Sequence, residues 1–333
     1  MLGPIGTFVF FVLFQIFGLA VATAATIPDR DYLQQQIPPS DLLKDPILDM
    51  YLLEGFRQRQ PSTHFITDCL YVTSKAGYFV FKSPNDDPTV CGIYFLTDPD
   101  RQVELRFTFF DVPCERGGLA SVVDGWELNG EIFPSATDHP LPIEDRVSEF
   151  CGKRVKKVFL SSQNAALIQY RIPAKGKGFT VLARYPKQST PCNVLVDSTA
   201  DAFTLRNYGR RINCTLSAMY PAAIRVIALG VGVNTLHGTN REIETGTVHK
   251  CDKRGLHDQA QLGGSDGLDT SNLEILDSIC GVDSKPDTRG RIVGCGVTSV
   301  RLTSSGLFDN SVTVTIRPAT ENEIMEADLI CGI

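Results

Sequence analysis

Gly263-Gly264-Ser265-Asp266-Gly267 has the G-x-S-x-G form in which a tight strand-to-helix turn presents a nucleophilic serine. In that arrangement an acid and then a histidine follow later in the chain. Here all five histidines, His64, His139, His237, His249 and His257, precede Ser265. The residues before it, Asp258-Gln259-Ala260-Gln261, are also too polar for the apolar strand that carries such an elbow. The motif is read as a flexible β-loop. No C-x-x-C or H-x-x-x-H spacing occurs, so a zinc site has no ligand set. No catalytic residue, metal or cofactor is assigned, and the chain reads as a binding protein, not an enzyme.

The remaining chemistry lies in ten cysteines: Cys69, Cys91, Cys114, Cys151, Cys192, Cys214, Cys251, Cys280, Cys295 and Cys331. An even count in a secreted chain reads as a disulfide framework. Secretion is expected from residues 1–24, which carry no charge. Residues 8–21 are nearly all apolar, and Ala20-Val21-Ala22-Thr23-Ala24 supplies the small residues for cleavage after Ala22 or Ala24. An apolar run of about 14 residues is too short to cross roughly 30 Å of hydrocarbon as a helix. Residues 1–24 are therefore read as a signal peptide in preference to an uncleaved anchor, leaving a soluble extracellular chain. The net charge of −6 over 333 residues argues against nucleic acid or an anionic membrane as the main partner.

Strands must position these cysteines. Leu105-Arg106-Phe107-Thr108-Phe109-Phe110-Asp111 reads as one strand, and Cys114 and Ala120-Ser121-Val122-Val123 follow it. Next come the Asp124-Gly125 turn, the sole tryptophan Trp126, a proline-punctuated loop, Phe150-Cys151-Gly152 and the apolar run Ala165-Ala166-Leu167-Ile168. Pro186 and Pro191 bracket a polar linker, after which the pattern restarts. Cys192 and Cys214 are spaced as Cys69 and Cys91 are, and Ile279-Cys280-Gly281 echoes Phe150-Cys151-Gly152. Sequence alone does not choose among the possible pairings, but the repeat favours the consecutive one: 69–91, 114–151, 192–214, 251–280 and 295–331. Each such loop is worth about 3–4 kcal/mol in the chain-entropy model. The fold predicted is all-β, with antiparallel sandwiches over 67–186 and 187–333, the latter ending in a disulfide-tethered tail. Residues 25–66 form an N-terminal segment. There Asp45-Pro46 and the spacing of Ile47, Met50, Tyr51 and Glu54 predict a short helix over 46–59.

The first unit resembles a CUB domain in its cysteine spacing, its L-x-F-x-x-F-D strand, its Phe-Cys-Gly triplet and its closing Gly178-Phe179…Tyr185. Three further features resemble the corticotropin-releasing factor-binding protein family more specifically: Asp124-Gly125-Trp126-Glu127-Leu128-Asn129-Gly130, Ser161-Ser162-Gln163-Asn164-Ala165-Ala166 and Pro191-Cys192-Asn193-Val194. The resemblance implies a secreted glycoprotein with five consecutive bridges. It would capture corticotropin-releasing-factor-like peptides, or diuretic-hormone-like ones in an invertebrate, and keep them from their receptors. Such ligands lay the apolar face of a helix into a groove. The groove is expected between residues 57–71 and the first sheet, with Arg57, Arg59, Phe65, Asp68 and Tyr71 as contacts. A monomer is expected. The rival reading is an adhesion or protease-associated CUB module organised by calcium. Calcium needs six to eight oxygens, and the loop after Cys114 offers Gly117-Gly118-Leu119 where a carboxylate is wanted, leaving Asp111 alone. Asn213-Cys214-Thr215 is the one glycosylation sequon. Lys153-Arg154-Val155-Lys156-Lys157 is read as a solvated strand edge guarded by lysines, with an acidic glycan or peptide as its functional alternative.

Overall fold

Short apolar alternations between glycine, proline and aspartate punctuation produce strands throughout the described part of the chain. The computed structural model describes residues 61–197, 200–232, 244–286 and 289–331. The expected signal peptide, the helix over 46–59, and Arg57 and Arg59 lie outside those residues. The first half contributes twelve strands. They are β1 (Thr63–Phe65), β2 (Leu70–Thr73), β3 (Gly77–Lys82), β4 (Val90–Leu96), β5 (Glu104–Asp111) and β6 (Leu119–Val123), then β7 (Trp126–Leu128), β8 (Glu131–Phe133), β9 (Val147–Phe150), β10 (Val158–Leu160), β11 (Ala165–Arg171) and β12 (Gly178–Arg184).

Ten of these strands form two five-stranded sheets, in the orders β1-β3-β12-β5-β10 and β2-β4-β11-β6-β9, while β7 and β8 pair as a separate hairpin. The edge strands β1 and β2 run parallel to their neighbours β3 and β4. Inward residues of both sheets, among them Phe79, Ile93, Phe95, Phe107, Phe110 and Phe179, fill one aromatic core. Edge-on ring pairs such as Phe79–Phe95 at 5.3 Å and Phe107–Phe179 at 5.6 Å add about 0.5–1.5 kcal/mol each beyond their burial.

The second half contributes β13 (Val194–Val196), β14 (Ala200–Arg206), β15 (Cys214–Ala218), β16 (Ala222–Val231), β17 (Gly246–His249), β18 (Gln259–Ser265), β19 (Glu274–Asp283), β20 (Arg291–Val293), β21 (Val297–Thr303) and β22 (Ser311–Pro318). These join as one ten-stranded sheet along the path β13-β15-β21-β18-β19-β16-β22-β14, with β17 on β19 and β20 on β16. The long β19 pairs with β18 through Glu274–Ile279 and with β16 through Gly281–Asp283. One strand thus links both sides of a single core that includes Leu216, Ile224, Val300 and Val314.

The cysteines pair consecutively: Cys69–Cys91, Cys114–Cys151, Cys192–Cys214, Cys251–Cys280 and Cys295–Cys331. One sequence reading changes. The segment ending in Ser265 is no flexible loop: β18 is buried along its whole length, and the Ser265 hydroxyl donates to the Gly267 carbonyl at 2.7 Å. Two short helices also appear, α1 (Ile143–Arg146) and α2 (Glu321–Met325). The second is started by a capping box between Thr320 and Glu323, a T-x-x-E signal present in the sequence. Finally, the linker at 186–191 is laid along the first half. Gln102 N donates to Pro186 O at 2.9 Å, and Gln188 N to Asp100 O at 2.8 Å.

Candidate functional site

The Asp-Gly turn shows which surfaces are already occupied. Gly125 has φ +122°, and a Cβ there would lie 1.9 Å from the Phe133 carbonyl oxygen, so only glycine fits. The Asp124 carboxylate accepts from Ser162 N at 2.7 Å, from the Ser162 hydroxyl at 2.6 Å and from Gln163 Nε2 at 2.7 Å. Burial alone would raise its pKa. The His139 ring, 3.3 Å away, and the hydrogen bonds from Ser162 outweigh that and hold the carboxyl below its ordinary value. The turn and the Ser161–Asn164 motif are therefore two sides of one clamp.

Beyond the turn, Trp126 donates from Nε1 to Phe95 O at 2.9 Å and packs in a cluster with Leu96, Phe133 and Leu167 from the first half and Leu195 and Leu268 from the second. Asn164 donates to Leu195 O at 2.8 Å and accepts from Leu195 N at 2.9 Å. At the end of the loop, Asp138 accepts from Arg301 Nη2 at 2.6 Å, from Thr270 at 2.7 Å and from Thr215 at 2.8 Å. Its burial would raise the pKa, but Arg301 and the two hydroxyls hold it below the ordinary carboxylate value. Loop 124–142 thus fastens the halves together over one end of the second sheet's outer face.

The cluster at this seam takes no residue from the β1-β3-β12-β5-β10 sheet. Across that sheet's outer face, cross-strand register aligns Phe65 with Val80, Val80 with Thr180, and Thr180 with Phe109. Phe65 is 72 % exposed and Phe109 52 %. The neighbouring row is Thr63, Tyr78, Leu182, Arg106 and Val158. Four strands span roughly 14 Å at ordinary strand spacing, enough for helix anchors at i and i+7, roughly 10 Å apart. Ion pairs border the stripe, Lys177–Asp111 at 2.7 Å and Arg184–Glu104 at 3.8 Å.

Of the residues expected to bind, Phe65 lies on this stripe and Asp68 is exposed where the chain crosses from β1 to β2. Tyr71 belongs to the other sheet and turns inward, edge-on to Phe79 at 6.2 Å. Its neighbours Leu70 and Val72, 61 % and 54 % exposed, face outward instead. Phe109 was missed, although its signal is in the sequence: Phe107-Thr108-Phe109-Phe110 breaks strict alternation. Register shifts at Thr180/Val181, leaving Thr108 as the extra residue of a bulge, so Phe110 turns in while Phe109 turns out.

The Asp111 carboxylate is engaged by Lys177. A Cβ at Gly118 would lie 2.6 Å from Pro113 O, so no aspartate fits there without moving the backbone. Among the described residues no group of three His, Cys, Asp or Glu is placed to hold a metal, and no helix is long and apolar enough to cross a membrane. Asn213 is half-buried at the seam, where Nδ2 donates to Thr137 O at 3.1 Å and to Asp138 Oδ1 at 3.2 Å. The amide that would carry a glycan is therefore engaged in the folded chain.

Comparison with known proteins adds a family. Residues 63–187 match the corticotropin-releasing factor binding protein N-terminal domain, and residues 194–325 the C-terminal domain of the same family. The chain is 33% identical over 258 residues to the corticotropin-releasing factor-binding protein of Homo sapiens, covering 77% of each chain. It is 32% identical to that of Mus musculus over 277 residues, covering 82% of each. Among solved structures, the CUB1-EGF-CUB2 region of human MASP-1/3 is 12% identical, covering 73% of this chain and 99% of that one with a TM-score of 0.24. That score is too low to bear on function.

Proposed function

The chain belongs to the corticotropin-releasing factor binding protein family, and from that premise we infer that it is a secreted trap for a corticotropin-releasing-factor-like peptide. The observation that carries this reading is the outward stripe of Phe65, Val80, Thr180 and Phe109 on a sheet face outside the seam cluster. An amphipathic peptide helix lays its apolar side across the stripe, and the charged groups bordering it, Arg106 among them, fix its register. Burying one exposed phenylalanine side chain is worth about 1.5–3 kcal/mol. Phe65 and Phe109 together therefore supply a substantial part of the roughly 8 kcal/mol that a micromolar affinity requires. Asp68, exposed just after β1, is assigned to the rim, while Arg57 and Arg59 are kept as proposed contacts from outside the described residues. Capture then acts by mass action, with no bond made or broken: peptide held on this face is removed from the pool that reaches a receptor.

Isothermal titration of the secreted protein with a synthetic corticotropin-releasing-factor peptide tests the reading. The wild type is expected to bind at micromolar concentration or tighter, with or without chelator. The double variant Phe65→Ser, Phe109→Ser is expected to bind at least about tenfold more weakly at an unchanged melting temperature. Equal affinity in wild type and double variant would remove the stripe from the site, and absence of any heat with the wild type would overturn peptide capture itself.

A further inference from the structure

We propose that the groove between β5 and the segment Lys153–Lys157, which abuts the peptide stripe and shares Arg106 and Phe109 with it, binds a linear sulfated polysaccharide. The segment is pinned at both ends. Val112 and Gly152 exchange backbone hydrogen bonds at 2.9 and 2.6 Å, beside the Cys114–Cys151 disulfide. At the other end Val158 pairs with Arg106 to start β10. Between these pins the segment leaves the β5 ladder and opens a groove of about 710 Å³ lined by Arg106, Phe109, Asp111, Lys153, Arg154 and Lys156, among others. Val155 packs against the first core and anchors the middle of the segment. Lys153, Arg154 and Lys156 stay exposed.

The charges in this groove have no internal counterpart. Among the described residues no ion pair involves Arg106, Lys153, Arg154 or Lys156. The groove's carboxylate, Asp111, is already held by Lys177 at 2.7 Å. Lys157 turns aside, donating to the Ser148 hydroxyl at 3.0 Å with its ammonium 5.1 Å over the Phe159 ring. Four uncompensated cations on a rigid frame repel one another, in a chain whose net charge is −6. An anionic ligand supplies the missing counter-charge.

The shape and setting select its class. A groove between β5 and this row of cations seats a narrow chain in preference to a flat lipid surface. From Lys153 to Lys156 the chain reaches at most roughly 10 Å, so its cations meet successive charged groups along a linear polymer. Sulfate offers several oxygens at once to guanidinium and ammonium donors. A basic run of this length fits nucleic acid or heparin-like chains, and the extracellular placement inferred above favours the second.

Binding of fluorescein-labelled heparin to the full chain, followed by anisotropy at physiological salt, tests this. Wild-type protein is expected to bind, and high salt to release the heparin. The variant Lys153→Gln, Arg154→Gln, Lys156→Gln is expected to lose about tenfold or more in affinity. The exposed triple Lys75→Gln, Lys253→Gln, Lys285→Gln removes the same charge elsewhere and is expected to bind within about twofold of wild type. Fully desulfated heparin, polyglutamate and phosphatidylserine vesicles are expected not to bind. Equal losses in the two triple variants, binding of polyglutamate or vesicles as tight as that of heparin, or no wild-type binding at physiological salt would each overturn the proposal. All six substituted side chains are exposed, so wild-type melting is expected throughout.

Discussion

The carboxylate of Asp138 gathers Arg301, Thr215, Thr270 and Asn213 from the second half onto one buried point of the first. Its side chain is 0% exposed and that of Arg301 16%. Because the folded-state pKa lies below the ordinary carboxylate value, its stabilisation is fully present above the unfolded pKa of about 4 and is lost as pH falls through the lower folded value. Asp124 has the same sign. The urea midpoint is therefore expected to be flat from pH 7 to about 5 and to fall below about 4. Asp138→Asn leaves Arg301 without its buried partner and is expected to cost about 3–5 kcal/mol at neutral pH. The same variant should show a shallower acid limb, with Asp124 still contributing. A neutral-pH loss under about 1 kcal/mol, typical of an exposed pair, would contradict the role given to Asp138.

At the scale of the strand, β5 separates two adjacent phenylalanines. Phe110 is 4% exposed in the aromatic core, and Phe109 is 52% exposed on the outer face. Phe110→Ala is expected to cost about 3–5 kcal/mol, and Phe109→Ala to stay within about 0.5 kcal/mol of wild type. Equilibrium denaturation of both variants measures the contrast, and similar losses would mean the bulge at Thr108 does not set the register. The strand itself was legible from Leu105-Arg106-Phe107. Which phenylalanine faced out was not, because alternation fixes facing only until an extra residue resets it. Tyr71 illustrates the same limit. A strand was readable there, yet facing depends on which sheet the chain joins after crossing at 66–69. Glycines 263 and 264 misled in the other direction, since β18 is a strand through its pairing with β19 and β21 on both sides, not through its own propensity.

For the molecule as a whole, the strand plan and the cysteine repeat were readable because each is local in sequence. The seam was not: Asp138 and Arg301 are 163 residues apart, and no periodicity announces such a pair. The motifs that marked the family, Asp124-Gly125-Trp126 and Ser161–Asn164, prove to be the parts that build this join. With Trp126, Leu195 and Leu268 in one buried cluster, scanning calorimetry of the full chain is expected to show one transition. Two resolved peaks would mean the halves melt independently. The bridges follow the opposite logic to the seam. Every disulfide joins a cysteine to the next one in the chain, and none crosses from one half to the other. During synthesis the first thiol of each bridge thus has its proper mate in the cysteine that emerges next. Oxidation can proceed in the order of translation, with no early sulfur held in reserve for a late one.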